Sequence, residues 1–476
     1  IFVVKVKADI FRVFIKGDRH DFNSDDFLSR LPDEVLVSIL SGLPIKDAAV
    51  TSQLSRRWRY LWCQAVRLDF EDNKRLDDNI VAQPKLRPKL RLLERNKYIN
   101  RVNRVIRQHR SAMIEEFKIC FDLDKYCKGS ISKWIEFALS KNVQKLELDL
   151  IDKSQMCSDP ALNFVFPNKI LDRISGSSLK RQSYSTVPRM PSTKVMGIKF
   201  LKVLILKCVN INDEAISKIL VSCRLLEHLT IHESEQLVNV KISGQQLKLI
   251  NLQITYCPLL ESIEICDSNL AYLCYYGLAI NFKFNKVLEL NKISTGEGST
   301  WNENTLFQQI SSGSLYLKVL ELTIYYPKQN MHLSLPELPC VKQLILSVGA
   351  WEDSTLLEFT WLARACPNLH KFVIQMMWMA TIKRTNRFMY MVKHPHQHLE
   401  VVEIGGYYGR NSDLELALYF IENGIALKKM VIDTYEYHLT SRTPIATETL
   451  EVTAARFLAQ NQLASIMPHG VKLVIL

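Results

Sequence analysis

Among the eleven cysteines of this 476-residue chain there is no CxxC pair, and no secretory signal precedes them. Scattered thiols without a paired spacing read as reduced and largely buried, in a cytosolic or nuclear protein. No apolar run reaches the length of a bilayer span, the longest lying around Leu270 to Ile280. The opening residues, IFVVKVKADIFRVFIKG, alternate apolar and charged side chains and so form neither a signal peptide nor an anchor. Because the sequence starts at Ile1 rather than methionine, residues 1–26 are read as an extension without function, a fragment or gene-model remnant. The phosphate-cradling P-loop, the GxGxxG turn and the HExxH helix are all missing, so no nucleotide, dinucleotide or metalloprotease site is marked. No motif singles out one cysteine as a reactive thiol beside a base. His394, His396 and His398 alternate in HPHQH, but that run contains no cysteine or carboxylate to complete a tetrahedral set. His228 and His232 flank a strand and read as surface. No metal, no cofactor and no catalytic residue is expected.

What is present is globular. An apolar content of 47% and the length suit two or more domains. The net charge of +12 raises nucleic acid or an anionic membrane as partners. The excess is local, however: Lys85, Arg87, Lys89, Arg91, Arg95, Lys97, Arg101, Arg104, Arg107 and Arg110 stand against Glu94 alone. Leu92, Ile99, Val102 and Ile106 recur there at helical spacing, so the segment reads as an amphipathic helix with a solvated basic face. It lacks the interleaved aromatics of a single-strand binder, and nucleic acid is not expected.

The stretch Phe27 to Trp62, FLSRLPDEVLVSILSGLPIKDAAVTSQLSRRWRYLW, packs three short helical segments into too few residues to bury them all. Leu31-Pro32 starts the first, with Asp33 and Glu34 at its positive end. Val35, Leu36, Ile39 and Leu40 follow at helical spacing until Gly42, Leu43 and Pro44 end the run. Ala48, Ala49, Val50, Leu54, Trp58, Leu61 and Trp62 continue the apolar set. An exposed apolar set on a small helical unit points to a protein partner.

LPDEVLVSILSGLP followed by AAVTSQLSRRWRYLW resembles an F-box of the plant type. It departs from many relatives at Asp26-Phe27-Leu28, where they carry a basic residue after the aspartate, upstream of the docking positions. The resemblance implies that the module docks on the Skp-type adaptor of an SCF ubiquitin ligase and, through it, on cullin. The interface it implies is Leu31, Pro32, Leu36, Ile39, Leu40, Leu43, Val50, Leu54 and Trp58. Some of these must instead form the module's own core, and sequence does not divide them. YINRVNRVIRQH resembles the helix that joins the F-box to the repeats in this family.

From Val143 onward a pattern of apolar, two others, apolar, one other, apolar recurs. It stands at Val143/Leu146/Leu148, Leu201/Leu204/Leu206, Leu226/Leu229/Ile231, Leu247/Ile250/Leu252 and Leu260/Ile263/Ile265. It returns at Leu317/Leu320/Leu322, Val341/Leu344/Leu346, Leu369/Phe372/Ile374, Leu399/Val402/Ile404 and Leu427/Met430/Ile432, with Asn285/Leu288/Leu290 as a degenerate copy. Most neighbours lie roughly 21 to 30 residues apart, the period of leucine-rich repeats. Leu252 to Leu260 is too short for a full unit. Helical spacing between strands, as in 212–223, 355–366 and 413–422, supplies an outer layer, and the repeats must stack because none covers its own apolar face. HQHLEVVEIGGYYGRNSDLELALYFIENGIALKKMVI, with Gly405 and Gly406 as its sharp markers, resembles the FBD region that follows the repeats in many plant F-box proteins. VTAARFLAQNQL with VKLVIL is similar to the closing helix and strand of monocot members.

The expected fold is therefore α/β: a leucine-rich-repeat solenoid with an N-terminal all-α F-box module. The expected domains are an extension (1–26), the F-box (27–63), a linker with the basic helix (64–140), the repeats (141–395) and an FBD-like region with a C-terminal cap (396–476). The resemblance implies a non-catalytic substrate-recognition subunit that holds an unknown target protein on its repeats. A protein-binding scaffold outside any ligase and a small-molecule-gated receptor are the alternatives. The residue between the last two apolar positions of each strand should face the concave surface, and there Glu264, Glu289 and Glu321 are expected to form an acidic ladder for a basic target segment.

Overall fold

The computed structural model describes residues 30–71, 87–151, 160–174, 197–296, 308–311, 316–324, 336–350, 356–378, 393–435 and 450–476. The extension at 1–26 and Lys85 lie outside the described residues. The chain forms two compact units, one ending at Glu235 and the other beginning at Gln236.

The first unit opens with two helices, α1 (Asp33–Ser41) and α2 (Ile45–Val50), followed by short 3-10 turns at Thr51–Gln53 and Trp58–Gln64. Pro32 and Pro44 precede the two helices, and their fixed φ of −60° and −53° sets the chain for a helical first turn. A parallel sheet follows, in the order β1 (Arg67–Glu71), β2 (Glu116–Cys120), β3 (Lys145–Asp149), β5 (Val203–Lys207) and β7 (His228–His232). The two-residue strands β4 (Phe164–Val165) and β6 (Val209–Asn210) pair separately. The outer layer holds α3 (Arg87–Gln108), α4 (Lys128–Ser140), α5 (Asn168–Ile174) and α6 (Asp213–Ser222). Asn212 caps α6, its side-chain oxygen accepting from the Ala215 N–H at 3.0 Å.

In the second unit the sheet runs β9 (Asn251–Thr255), β11 (Tyr272–Tyr276), β13 (Lys292–Gly296), β14 (Val319–Ile324), β15 (Gln343–Ala350), β16 (Lys371–Trp378), β17 (Val401–Gly405), β18 (Lys429–Asp433) and β19 (Lys472–Ile475). The strand pairings described within each unit are parallel, and most of the five-residue strands send two apolar side chains inward. Leu146 and Leu148, Leu204 and Leu206, Leu320 and Leu322, Phe372 and Ile374, and Val402 and Ile404 are all buried, as the repeat pattern requires. Helices α7 (Thr360–Arg364), α8 (Asn411–Asn423) and α9 (Leu450–Leu463) belong to this unit. The FBD-like stretch continues the same ladder, with Val402 opposite Phe372 and Met430 opposite Val402.

Between residues 239 and 296 the sequence pattern misplaces three repeats. Strands here alternate between two sheets: β8 (Asn239–Ser243), β10 (Ser262–Cys266) and β12 (Asn281–Asn285) form a three-stranded sheet of their own. Leu260/Ile263/Ile265 therefore belongs to that second sheet, which explains the short spacing from Leu252. Leu247/Ile250/Leu252 gives way to Leu249/Leu252/Ile254, since Leu249 is buried and Ile250 is 45% exposed. The degenerate copy is likewise replaced by Leu290/Ile293/Thr295, because Leu288 sits in an exposed turn. Apolar residues at adjacent positions satisfy the pattern in two registers, and burial alone selects between them.

Gly406 lies just beyond β17 at φ +78°, and a Cβ there would stand 2.4 Å from the Met376 carbonyl oxygen. Gly129, inside α4, has no atom within 4 Å of its Cβ position. Gly406→Val is expected to lower the unfolding free energy by about 2 kcal/mol or more, and Gly129→Ala to leave it level or slightly raised, in urea denaturation of the full chain.

Candidate functional site

The helical module divides its apolar side chains cleanly. Leu36, Leu40, Leu43, Ile45, Ala48, Trp58, Leu61 and Trp62 are buried. Val35 (42% exposed), Val50 (37%) and Leu54 (39%) remain open to solvent. Pro32 is exposed, and Leu31 and Ile39 are half-buried. Of the nine residues expected at an adaptor interface, Leu36, Leu40, Leu43 and Trp58 thus form the module's own core. Leu31, Pro32, Ile39, Val50 and Leu54 stay reachable. The spacing of Pro32, Val35 and Ile39 places them on one stripe of α1, away from the Leu36–Leu40 stripe. Sequence reasoning passed over Val35 as an interface residue, although its three-residue offset from Pro32 carries that signal.

Arg57 fastens the module's loop to its first helix. Its Nη2 donates to the Leu31 carbonyl at 2.5 Å and stands 2.6 Å from Asp33 Oδ1. The module is also tied to the first strand of the same unit. Ser41 Oγ donates to the Val37 carbonyl at 2.7 Å and accepts from the Val66 N–H at 3.1 Å. The Arg110 N–H donates to the Cys63 carbonyl at 2.8 Å, and His109 Nε2 lies 3.0 Å from the Ala65 carbonyl.

The basic helix is less solvated than its composition suggests. Arg91 donates two bonds to the Asp122 carboxylate, at 2.5 and 2.7 Å. Arg95 reaches the Asp122 carbonyl at 2.8 Å, its carboxylate at 2.7 Å, and the Asp124 carboxylate as well. Arg101 lies over the Tyr98 ring at 5.1 Å. Lys89, Arg104 and Arg107 remain exposed.

On the outward face of the first unit's sheet, charges alternate from strand to strand. Arg67, Glu116 and Lys145 stand in one row, and Asp69, Lys118 and Glu147 in the next. Lys118 meets Glu71 at 2.7 Å, Lys145 meets Glu116 at 2.6 Å, and Lys207 meets Asp149 at 2.8 Å. Burial works against the Lys118 charge, but Glu71, Asp69 and Glu147 together outweigh it and hold the ammonium above the ordinary lysine range.

The expected acidic ladder does not form. Glu264 lies on β10, in the three-stranded sheet, where Lys241 holds it at 2.9 Å. Glu289 sits in an exposed turn, and only Glu321 occupies the main sheet, buried and 3.3 Å from Lys292. A strand assigned to the wrong sheet, for Glu264, and a shifted register, for Glu289, account for the misplacement. In the second unit the central outward row instead reads Gln253, Cys274, Ser294, Glu321, Ile345, Val373, Glu403 and Val431.

In HPHQH the rings of His394 and His396 meet edge to face at 5.5 Å, and His398 turns elsewhere. His396 is buried, with Nε2 3.1 Å from the Tyr419 hydroxyl, while the ring of His398 stacks on His370 at 6.0 Å. Among the described residues no three His, Cys, Asp or Glu side chains are grouped to hold a metal. No described helix is long and apolar enough to cross a membrane.

Stacked parallel strands with buried inward pairs, preceded by a small helical module with an open apolar stripe, define a leucine-rich-repeat protein with an N-terminal F-box. A leucine-rich-repeat family described as "At1g61320/AtMIF1, LRR domain" matches residues 105–475, and the F-box domain matches residues 28–68. The chain belongs to this family and is a plant-type F-box/leucine-rich-repeat protein. It is similar to F-box/LRR-repeat protein 25 of Arabidopsis thaliana, at 29% identity over 52% of this chain and 85% of that one. It is also similar to the Arabidopsis F-box/FBD/LRR-repeat proteins At5g22700 (24% identity, 86% of this chain and 92% of that one) and At5g22660 (23%, 86% and 89%).

Burial pushes the His396 imidazole down to about 4, with further repulsion from His394 and Arg364. Unfolded, it titrates near 6.5, so between these values the unfolded chain binds more protons and stability falls as pH drops. From pH 7.5 to 5 this histidine is expected to remove about 2 kcal/mol of stability, a loss that His396→Gln should abolish in paired denaturation curves.

Proposed function

We propose that this protein is the substrate-recognition subunit of an SCF-type ubiquitin ligase, holding a Skp-type adaptor, and through it cullin, on its F-box and a target protein on its repeats. The observation that carries this reading is the set of apolar side chains Pro32, Val35, Ile39, Val50 and Leu54, left reachable on a module whose core is already filled by Leu36, Leu40, Ala48, Trp58 and Leu61. Apolar side chains left open beside a complete core fit a partner surface. The proposed adaptor interface is accordingly Leu31, Pro32, Val35, Ile39, Val50 and Leu54. The buried four act indirectly, by fixing the helices that present it.

The chain contributes geometry rather than chemistry. Ser41 ties α1 to Val66, just before the first strand, and His109 and Arg110 tie the module's end to the segment that follows α3, so an adaptor held on α1 is held in fixed relation to the first unit's repeats. Such fixing raises the effective concentration of a target lysine beside a ubiquitin-charged enzyme. The ten described cysteines are free thiols, which suits the cytoplasm or nucleus.

A pull-down of the purified full chain with a Skp-type adaptor tests the reading. Val50→Asp with Leu54→Asp is expected to weaken capture about tenfold or more at an unchanged melting temperature. Leu36→Asp instead puts a carboxylate in the core and should unfold the module, so it does not report on the interface. Failure of the unaltered chain to capture the adaptor would leave a scaffold outside any ligase.

A further inference from the structure

A second apolar surface lies in the first unit, away from the F-box stripe. Met113, Asn142, Gln144, Phe200, Lys202 and Leu225 line an open groove of about 290 Å³. Each comes from the segment just before a strand: Met113 before β2, Asn142 and Gln144 before β3, Phe200 and Lys202 before β5, and Leu225 before β7. The groove thus crosses four successive repeats along one edge of the sheet.

Its floor is apolar and open to solvent, with Met113 44% and Phe200 39% exposed. Its wall is built by a close approach. Asn142 turns through φ +55° after α4, and Gly197 packs against it so tightly that a Cβ would meet Asn142 Oδ1 at 2.1 Å and the Leu139 carbonyl oxygen at 2.9 Å. No hydrogen bond or ion pair among the described residues engages the side chains of Asn142, Gln144 or Lys202. Lys199 and Arg224 flank the groove in sequence on the same segments, against Glu227.

We infer that this groove docks an acidic peptide segment of a partner protein, which inserts one large apolar side chain and sets a neighbouring carboxylate against Lys202. The volume lies just below the range of small-molecule sites and suits a single side chain. An uncommitted ammonium and two carboxamides beside an apolar floor match an anionic, hydrogen-bonding flank. One aromatic ring without further stacking partners does not make a nucleic-acid platform. The inference is independent of adaptor docking, because the groove shares no residue with the F-box.

Fluorescence polarisation of a labelled peptide, a phenylalanine flanked by aspartates, against the full chain tests it. Saturable binding is expected at a Kd of about 0.1 to 1 mM, weakened about tenfold when the phenylalanine becomes alanine or the aspartates become asparagines. Leu225→Asp and Lys202→Glu should each weaken it to a similar degree at an unchanged melting temperature, and added salt should weaken it further. Should Leu225→Asp impair folding, Lys202→Glu together with the alanine peptide decides the matter. Four results overturn the inference: no binding up to about 5 mM; equal binding of the alanine peptide; loss with Arg104→Glu and Arg107→Glu but not with the groove variants; or displacement of the peptide from the groove by a single-stranded oligonucleotide that binds it more tightly.

Discussion

A five-residue strand of this protein has two needs that it cannot meet alone. Its two inward side chains, such as Leu204 and Leu206, need a neighbour above and below, and its backbone donors need a parallel partner at the same height. Only stacking of successive strands satisfies both, so every repeat constrains the next. The constraint extends to the turn after several of the strands. Cys208, Tyr256, Asp267 and Lys286 all adopt φ between +45° and +56°, a region that costs a non-glycine residue about 1 kcal/mol or more. That conformation aims the N–H of Cys208 at the His232 carbonyl, of Tyr256 at Tyr276, and of Asp267 at Asn285. The strain is offset by extending the ladder one bond past the strand. Gly406 makes the same turn without the strain, and there a side chain is further forbidden by the Met376 carbonyl.

How far this fold is legible in its sequence depends on what competes with the repeat pattern. Where a helix separates two strands, as α6 does between β5 and β7, the change from two-residue to helical spacing marks the boundary and the register is unambiguous. Leu204, Leu229 and Phe372 fall where the pattern puts them. From Asn239 to Gly296 no helix intervenes among the strands, both layers are sheet, and every strand carries the same alternation. The pattern then cannot tell which of two sheets a strand joins, and Glu264 is assigned to the wrong one. Adjacent apolar residues such as Leu249 and Ile250 add a second ambiguity that only packing resolves. The alternation of charges on β1, β2 and β3 is invisible for a different reason: Lys118 and Glu147 are unremarkable in sequence until the register sets them side by side.

The helical module shows the same limit at closer range. Its apolar residues are of one kind, Leu, Ile, Val and Trp, whether they fill the core or face outward. Spacing identifies α1 and its two stripes but does not say which stripe turns inward. That is decided by the packing of the segments carrying Ala48, Trp58 and Leu61, which are buried along with Leu36 and Leu40 while Val35 stays exposed and Ile39 half-buried. Arg57 is part of this choice, since its bonds to Asp33 and the Leu31 carbonyl hold the loop before Trp58 against the start of α1.

Charge shows why composition is a poor guide to partners in a protein of this kind. The helix Arg87–Gln108 alone carries eight lysines and arginines against one glutamate, a net +7 in a chain whose total is +12. Read as a number, that excess calls for a polyanion. Yet Arg91 and Arg95 are turned onto Asp122 and Asp124 with little exposure, Lys97 pairs with Glu94 on its own helix, and Arg101 covers a tyrosine ring. Lysines of β2, β3 and β5 are likewise matched by carboxylates on adjacent strands. A charge already desolvated and paired offers a partner little, because docking there must first break the existing pair. Recognition is better served by groups that folding leaves uncommitted. In the first unit these are few, and they lie beside open apolar side chains rather than along the most basic stretch of sequence.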